Sequence, residues 1–423
     1  ADAIAADYVR LYSSADGSFT VNSDGTVDGA YQMVMLEPGQ VSDEAQAAFP
    51  HLDFSSAYQL PDDADLKSLL KGEVVAMALT AEGYVYKTTE VQFAGALDSL
   101  YVAANDDAVQ LGVSPSQKGY QFQLWAPTAQ SVTLQTYNKR KKAKRAYPME
   151  WQADLGTWLV DTRVKHGQFY RYVVEVYHPA SGEVETLEVT DPYSLSLATN
   201  SLYSQVVDLE HRKTKPAGWD SHVVPELPMT NMSIYEAHVR DFSAHDLSTS
   251  EENRGKYLAF TELDSAPMQH LAELKQAGLT HLHLLPVFDI ATVEEDEKRR
   301  VEISDTVGKL CSIQPDNALC GVESNGAVIA DLLEACDPTT QCADDIVDSL
   351  RWLDGFNWGY DPFHFGAPEH HIVGMISHLW KVARSVVKVV APWVTLKDPR
   401  KDFANPVRAA ETITACFISC FPY

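Results

Sequence analysis

Short apolar runs separated by turn residues dominate the first half of the chain. "YVRLYSS", "GSFTVNSDGTVDGAYQMVML" and "GEVVAMALTAEGYVYKTTEVQFA" alternate with period two around Asp-Gly and other glycine turns. That pattern predicts antiparallel strands. One helix is expected at "SDEAQAAFPHL". Residues 1–105 therefore form a β-rich domain, with "ALDSLYVAANDDAVQLG" as a connector. The alternation strengthens over 106–212. "YQFQLWAPTAQSVTLQTYN" predicts two strands around a Pro turn; "GTWLVDTR" and "GQFYRYVVEVYHPASGEVETLEVTDPY" predict three more. In "FYRYVVEVY" both faces are apolar or aromatic, as in a central strand of a β-sandwich.

Near residue 228 the pattern changes. "MSIYEAHVRDFS" predicts a strand, "SAPMQHLAELKQAG" a helix with Met268, Leu271, Leu274 and Ala277 on one stripe and Gly278 at its end, and "LTHLHLLPVFDI" a second strand. Strand, helix and strand within about 60 residues make a βαβ unit, which opens a barrel or a doubly wound sheet. On the first strand Glu236, His238 and Arg240 alternate with Tyr235, Ala237 and Val239; they line a polar pocket or satisfy one another. Asp289 ends the second strand, where α/β folds carry sites. Residues 291–354 are acidic and read as an insertion.

The 423 residues carry 59 acids against 33 bases, a net charge of -26. Such a surface repels nucleic acid but not neutral sugars. The basic run "NKRKKAKR" (138–145) is expected to be a solvated hairpin tip. No run of about 18 apolar residues predicts a membrane span. With no initiator Met and no signal-like segment at "ADAIAADYV", the start reads as that of a fragment or processed chain. Cysteines first occur at Cys311, Cys320, Cys336 and Cys342, with Cys416 and Cys420 later. Their spacing fits no common zinc pattern. Pairing Cys311 with Cys320 and Cys336 with Cys342 would clip the insertion and favour an oxidising compartment. The sequence holds no G-x-S-x-G elbow, Walker loop, G-x-G-x-x-G or H-E-x-x-H.

The densest chemistry lies in "GFNWGYDPFHF", residues 355–365. Trp358 and Tyr360 flank Gly359, Asp361 offers a hydroxyl acceptor, and Pro362 keeps Asp361 out of helical geometry. Flat aromatic faces beside a carboxylate suit a pyranose ring, whose C–H face is apolar and whose rim is polar. An aromatic loop packed on its own domain is the alternative. Trp125, Trp151 and Trp158 are stacking candidates or sandwich core.

"YEAHVRDFSAHD", "HLHLLPVFDIATV" and "FNWGYDPFHF", in that order, resemble the pullulanase branch of the α-amylase superfamily. "FQLWAPTAQSVTL" and the segment from "FYRYVVEVY" to "SQVVDL" resemble the β-sandwich in front of the barrel in those enzymes; residues before it resemble the extra N-terminal β-domain of secreted bacterial pullulanases. The resemblance implies a multidomain chain: N-terminal β-domains, one a β-sandwich, followed by the start of a (β/α)₈ barrel, incomplete in this sequence. It places that barrel part at 213–365, with the Cys-containing insertion 291–354. It implies hydrolysis of α-1,6 branch links in pullulan, glycogen or amylopectin with retention, which needs two carboxylates about 5 Å apart. Tyr360 would stack the sugar and Asp361 bind its hydroxyls, beside Trp358. No cofactor is required; a structural Ca²⁺ is compatible. The partner would be an α-glucan polysaccharide and the location secreted or cell-surface.

The resemblance stops where the catalytic segments should begin. A D-V-V-Y-N-H-like strand, a G-F-R-F-D-like strand, an acid/base Glu strand and an N-H-D-like motif do not occur, so nucleophile and acid/base are absent from this sequence. After residue 365 seven bases outnumber four acids, the reverse of the rest. Residues 366–423 are read as an atypical tail, produced by a reading-frame change, with an amphipathic helix at "WKVARSVVKVV" as the alternative. Acids such as Glu369 are expected to lack a strand that would position them.

Overall fold

A computed structural model describes residues 8–48, 50, 57–106, 108–211, 214–215, 221, 227–285, 287–356 and 361–369. The alternating runs at the start form one five-stranded antiparallel sheet in the order Ala57–Gln59, Gln32–Gly39, Tyr8–Ser14, Glu73–Leu79, Val85–Glu90. Both faces are covered, as period-two side chains require. Leu11, Leu70 and Val74 meet Val34, Leu36, Phe93 and Leu97 on one side. Tyr12, Val75, Met77, Leu79 and Val85 lie with Phe19 on the other. The expected helix is Asp43–Ala48, and the connector forms the helix Ala94–Leu100 and a 3₁₀ turn Val102–Asn105.

The second domain is a sandwich. One sheet runs Ala143–Pro148, Ser131–Tyr137, Phe169–His178, Glu183–Val189, with Ser204–Gln205 also on the Phe169–His178 strand. The other runs Glu150–Gln152, Thr157–Thr162, Tyr120–Trp125, Gly112–Pro115. Phe122, Leu124, Val132, Leu134, Tyr170 and Tyr172 fill the space between them. The basic run forms the turn after Tyr137, with Lys141 at φ 59°, and the first three residues of the strand Ala143–Pro148.

Trp158 is core, whereas Trp125 and Trp151 are half-buried. The Lys71 ammonium sits 4.0 Å from the Trp151 ring centre and 5.2 Å from that of Trp158. Tyr101 meets Trp151 edge-on at 6.2 Å. Trp151 and Trp158 therefore join the first domain to the second instead of offering an open stacking face. Gly17 (φ 71°) permits the same junction, since a Cβ there would stand 2.4 Å from the Gly182 carbonyl oxygen.

The βαβ unit is present: strands Ile234–Ala237 and His281–Leu284 are parallel, joined through the helix Ala266–Gln276. Its stripe buries Met268 and Leu271, while Ala277 is exposed. Two expectations need correction. The first strand stops at Ala237 because the His238 imidazole Nδ1 accepts the Arg240 amide at 3.0 Å and caps the helix Val239–Ser243. Glu236, His238 and Arg240 thus share no strand face. The second run is two strands, His281–Leu284 and Phe288–Ile290; the latter pairs antiparallel with Pro362–Pro368. Residues 291–354 build their own core from Val301, Val307, Leu310, Ile329, Ile346 and Leu350, around three short helices. Cys311 is bonded to Cys320 and Cys336 to Cys342.

Candidate functional site

Trp358 and Tyr360 lie outside the described residues. Asp361 is exposed, and its carbonyl accepts the Ala291 amide at 3.0 Å. Pro362 opens a strand instead of continuing a loop, and that strand runs through residue 365 to Pro368. The strand thus extends three residues past the expected break at 365. The Glu369 amide still bonds the Val287 carbonyl at 2.9 Å, and its side chain is fully buried. A strand does position Glu369, contrary to the sequence expectation. The remainder of the tail, including "WKVARSVVKVV", lies outside the described residues.

Around the Phe288–Ile290 strand the fold collects buried polar groups. Asp289 (1% exposed) accepts Ser201 Oγ at 2.6 Å and His364 Nδ1 at 2.7 Å. Since a carboxylate only accepts, the imidazole donates from Nδ1. His364 Nε2 lies 2.9 Å from Thr190 Oγ1. Glu369 Oε2 accepts the Ile290 amide at 2.7 Å. Asn200 binds the next turn three times. Its Nδ2 donates to Glu294 Oε1 (2.7 Å), its Oδ1 accepts the Glu295 amide (2.8 Å), and its own amide donates to Glu295 Oε2. Beneath this, Asp191 accepts the Tyr170 hydroxyl at 2.7 Å and the Tyr193 amide at 2.8 Å. Burial pushes the Asp191 carboxyl above the usual aspartate range, and those hydrogen bonds oppose the rise.

Asp289, Glu295 and Glu369 bring one ligand oxygen each within 4.8 Å of one another, all three buried. Three buried acids repel unless protons, donors or a cation offset them. An all-oxygen set fits a hard cation such as Ca²⁺ better than zinc or copper. The retaining pair of a glycosidase would also be two close acids, but Asp289 and Glu369 are buried and committed to structural donors.

Sequence reasoning singled out Asp289 alone of this cluster. It missed Thr190, Asn200, Ser201, Glu295 and His364, and it dismissed Glu369. A usable signal existed for one: Asn-Ser in "LATNSLYS" marks a left-handed turn.

Residues 1–99 match the family Pullulanase N2 domain, and residues 110–194 match carbohydrate-binding module 48 (isoamylase N-terminal domain). The Klebsiella pneumoniae pullulanase is 40% identical over 375 residues, covering 85% of this chain and 34% of its own length. The crystal structure of PulA from Klebsiella oxytoca superposes with a TM-score of 0.79 at 35% identity, covering 91% of this chain and 38% of that one. The maltotriose complex of PulA from Klebsiella pneumoniae gives a TM-score of 0.77 at 37% identity, covering 91% and 43%. This chain, with its N2 domain, its carbohydrate-binding module and the strand-helix-strand unit behind them, is a homologue of pullulanases that spans about a third of their length.

Proposed function

We propose that this chain is the glucan-holding front of a pullulanase-type, starch-debranching glycoside hydrolase. The observation that carries the reading is the 40% identity to a pullulanase across 85% of the chain. The carbohydrate-binding module at 110–194 agrees with it. The whole enzyme would cleave α-1,6-glucosidic links with retention. The 423-residue polypeptide would bind α-glucan without cleaving it, because the segments that carry nucleophile and acid/base in the resembling enzymes are missing from its sequence. Asp361, with Tyr360 and Trp358, would hold the sugar. A non-catalytic glucan-binding protein is the second reading, favoured by the carbohydrate-binding module alone.

Calorimetry with maltotriose, together with reducing-end release from pullulan, tests the proposal. Binding without turnover is expected. Turnover abolished by Tyr360→Ala would refute the inactivity of this polypeptide, and failure to bind any α-glucan would refute the function. Ca²⁺, if held, would sit at Asp289, Glu295 and Glu369, where it would neutralise buried charge. The two bridges in the insertion favour an oxidising, secreted or cell-surface location.

A further inference from the structure

We propose that the segment Thr190–Ser201, between the last two strands of the sandwich, is the positioning element for Asp361 and the strand pair it leads into, and that Thr190, Asn200 and Ser201 are positioning residues. That Asp361 holds glucan rests on the function proposed above; the positioning does not.

The first observation is the pairing between Phe288–Ile290 and Pro362–Pro368. Phe288 faces Pro368, Asp289 faces His364, and Ile290 faces Pro362. A regular antiparallel ladder advances one residue on each side, yet here three consecutive residues oppose a span from 362 to 368, with an irregularity at each step. Backbone pairing of this kind disrupts the ladder locally, so a hold on the two strands from outside the pair is called for.

The second observation supplies it. The central pair, Asp289 and His364, is bonded on both sides by the sandwich: Ser201 Oγ to Asp289 at 2.6 Å and Thr190 Oγ1 to His364 Nε2 at 2.9 Å. The same segment touches the returning strand again at Gly366, where a Cβ would stand 2.8 Å from the Ser194 carbonyl oxygen. Asn200 holds the outgoing chain through Glu294 and Glu295.

The third observation is strain. Asn200 (φ 56°) and Ser201 (φ 50°) are consecutive non-glycine residues in the left-handed region, and Ser201 is buried. Such backbone persists only where the surroundings over-determine it. Here it aims the Asn200 side chain and amide at one turn and the Ser201 hydroxyl at Asp289. At its root the segment is anchored in the sandwich core by Asp191, which accepts the Tyr170 and Tyr172 hydroxyls. The sandwich therefore sets the register of the strand pair. Through the Ala291 amide on the Asp361 carbonyl, it also sets where Asp361 stands.

Hydrogen exchange by mass spectrometry on the full chain tests this. Thr190→Val keeps the side-chain shape and removes the hydroxyl; Thr190→Ser keeps the hydroxyl. Thr190→Val and Ser201→Ala should speed exchange about tenfold in peptides 287–291 and 361–369 and leave 120–125 and 170–174 unchanged. Thr190→Ser should restore protection. Unchanged exchange at 287–291 and 361–369 overturns the proposal, and so does equal acceleration across the sandwich core, which marks a merely structural role. Maltotriose affinity is the second readout. If the parent chain binds, Thr190→Val should weaken binding about tenfold and Thr190→Ser should recover it; unaltered affinity beside altered exchange separates Asp361 from glucan holding. If the parent chain does not bind maltotriose, the function fails and exchange alone decides the positioning.

Discussion

Glu73 lies half-buried at the edge of a cleft between the first domain and the sandwich, a cavity of about 290 Å³ also lined by Glu90, Phe93, Thr128 and Tyr177. Burial pushes its carboxyl up, and the Glu90 charge adds to the rise. A raised carboxyl means that the folded chain binds this proton more tightly than the unfolded chain. Its contribution to stability is thus most favourable below the ordinary glutamate value near 4.3 and declines as pH rises through the window above it. Glu73→Gln should raise the thermal midpoint at pH 7 and leave it unchanged near pH 4. A midpoint equally shifted at both values would show that charge is not the cause. Residue types announced such chemistry poorly. Asp289 was visible because it ends an apolar run, whereas Glu369 and His364 acquire meaning only through partners some 75 or more residues away.

At the scale of elements, periodicity served best where runs were long. The sandwich strands and the helix Ala266–Gln276 follow their apolar spacing because burial of one face outweighs local preference. It misled where runs were short. In "YEAHVR" three alternating residues look like strand, yet a side-chain cap at His238 is enough to turn the chain into helix. The insertion shows a different limit. Its core of six buried side chains is small for independent stability, so the bridge closing Cys311 to Cys320, nine residues apart, matters more than it would in a large domain. Replacing both cysteines by Ser should cost about 2–3 kcal/mol of the insertion's local stability. Limited proteolysis within 301–353 should accelerate while the sandwich stays intact; unchanged cleavage there would count against the bridge as a brace.

At the scale of the molecule, the N2-type domain and the sandwich meet through Lys71 over Trp151 and Trp158, Lys67 Nζ on the Ala153 carbonyl at 2.7 Å, and the Gly17–Gly182 approach. A shielded cation–π contact contributes about 0.5–2 kcal/mol. Lys71→Ala should lower the first domain's unfolding midpoint toward that of a separate transition, seen as a second step in calorimetry. A single unaltered transition would show the contact to be incidental. The tryptophans' role as a joint could not be read from composition, because a cation placed on an indole by another domain leaves no local trace.

The order of domains, the strand-rich front, the parallel unit and the likeness to pullulanases follow from the sequence, since apolar spacing and linear motifs are local properties that survive without contacts. Three features were decided only by the tertiary structure: the pinning of an irregular strand pair by the sandwich's last turn, the gathering of Asp289, Glu295 and Glu369, and the burial of Glu369 past the expected break. Each depends on groups distant along the chain meeting in a low-dielectric interior, where hydrogen-bond partners and neighbouring charge define what a side chain can do.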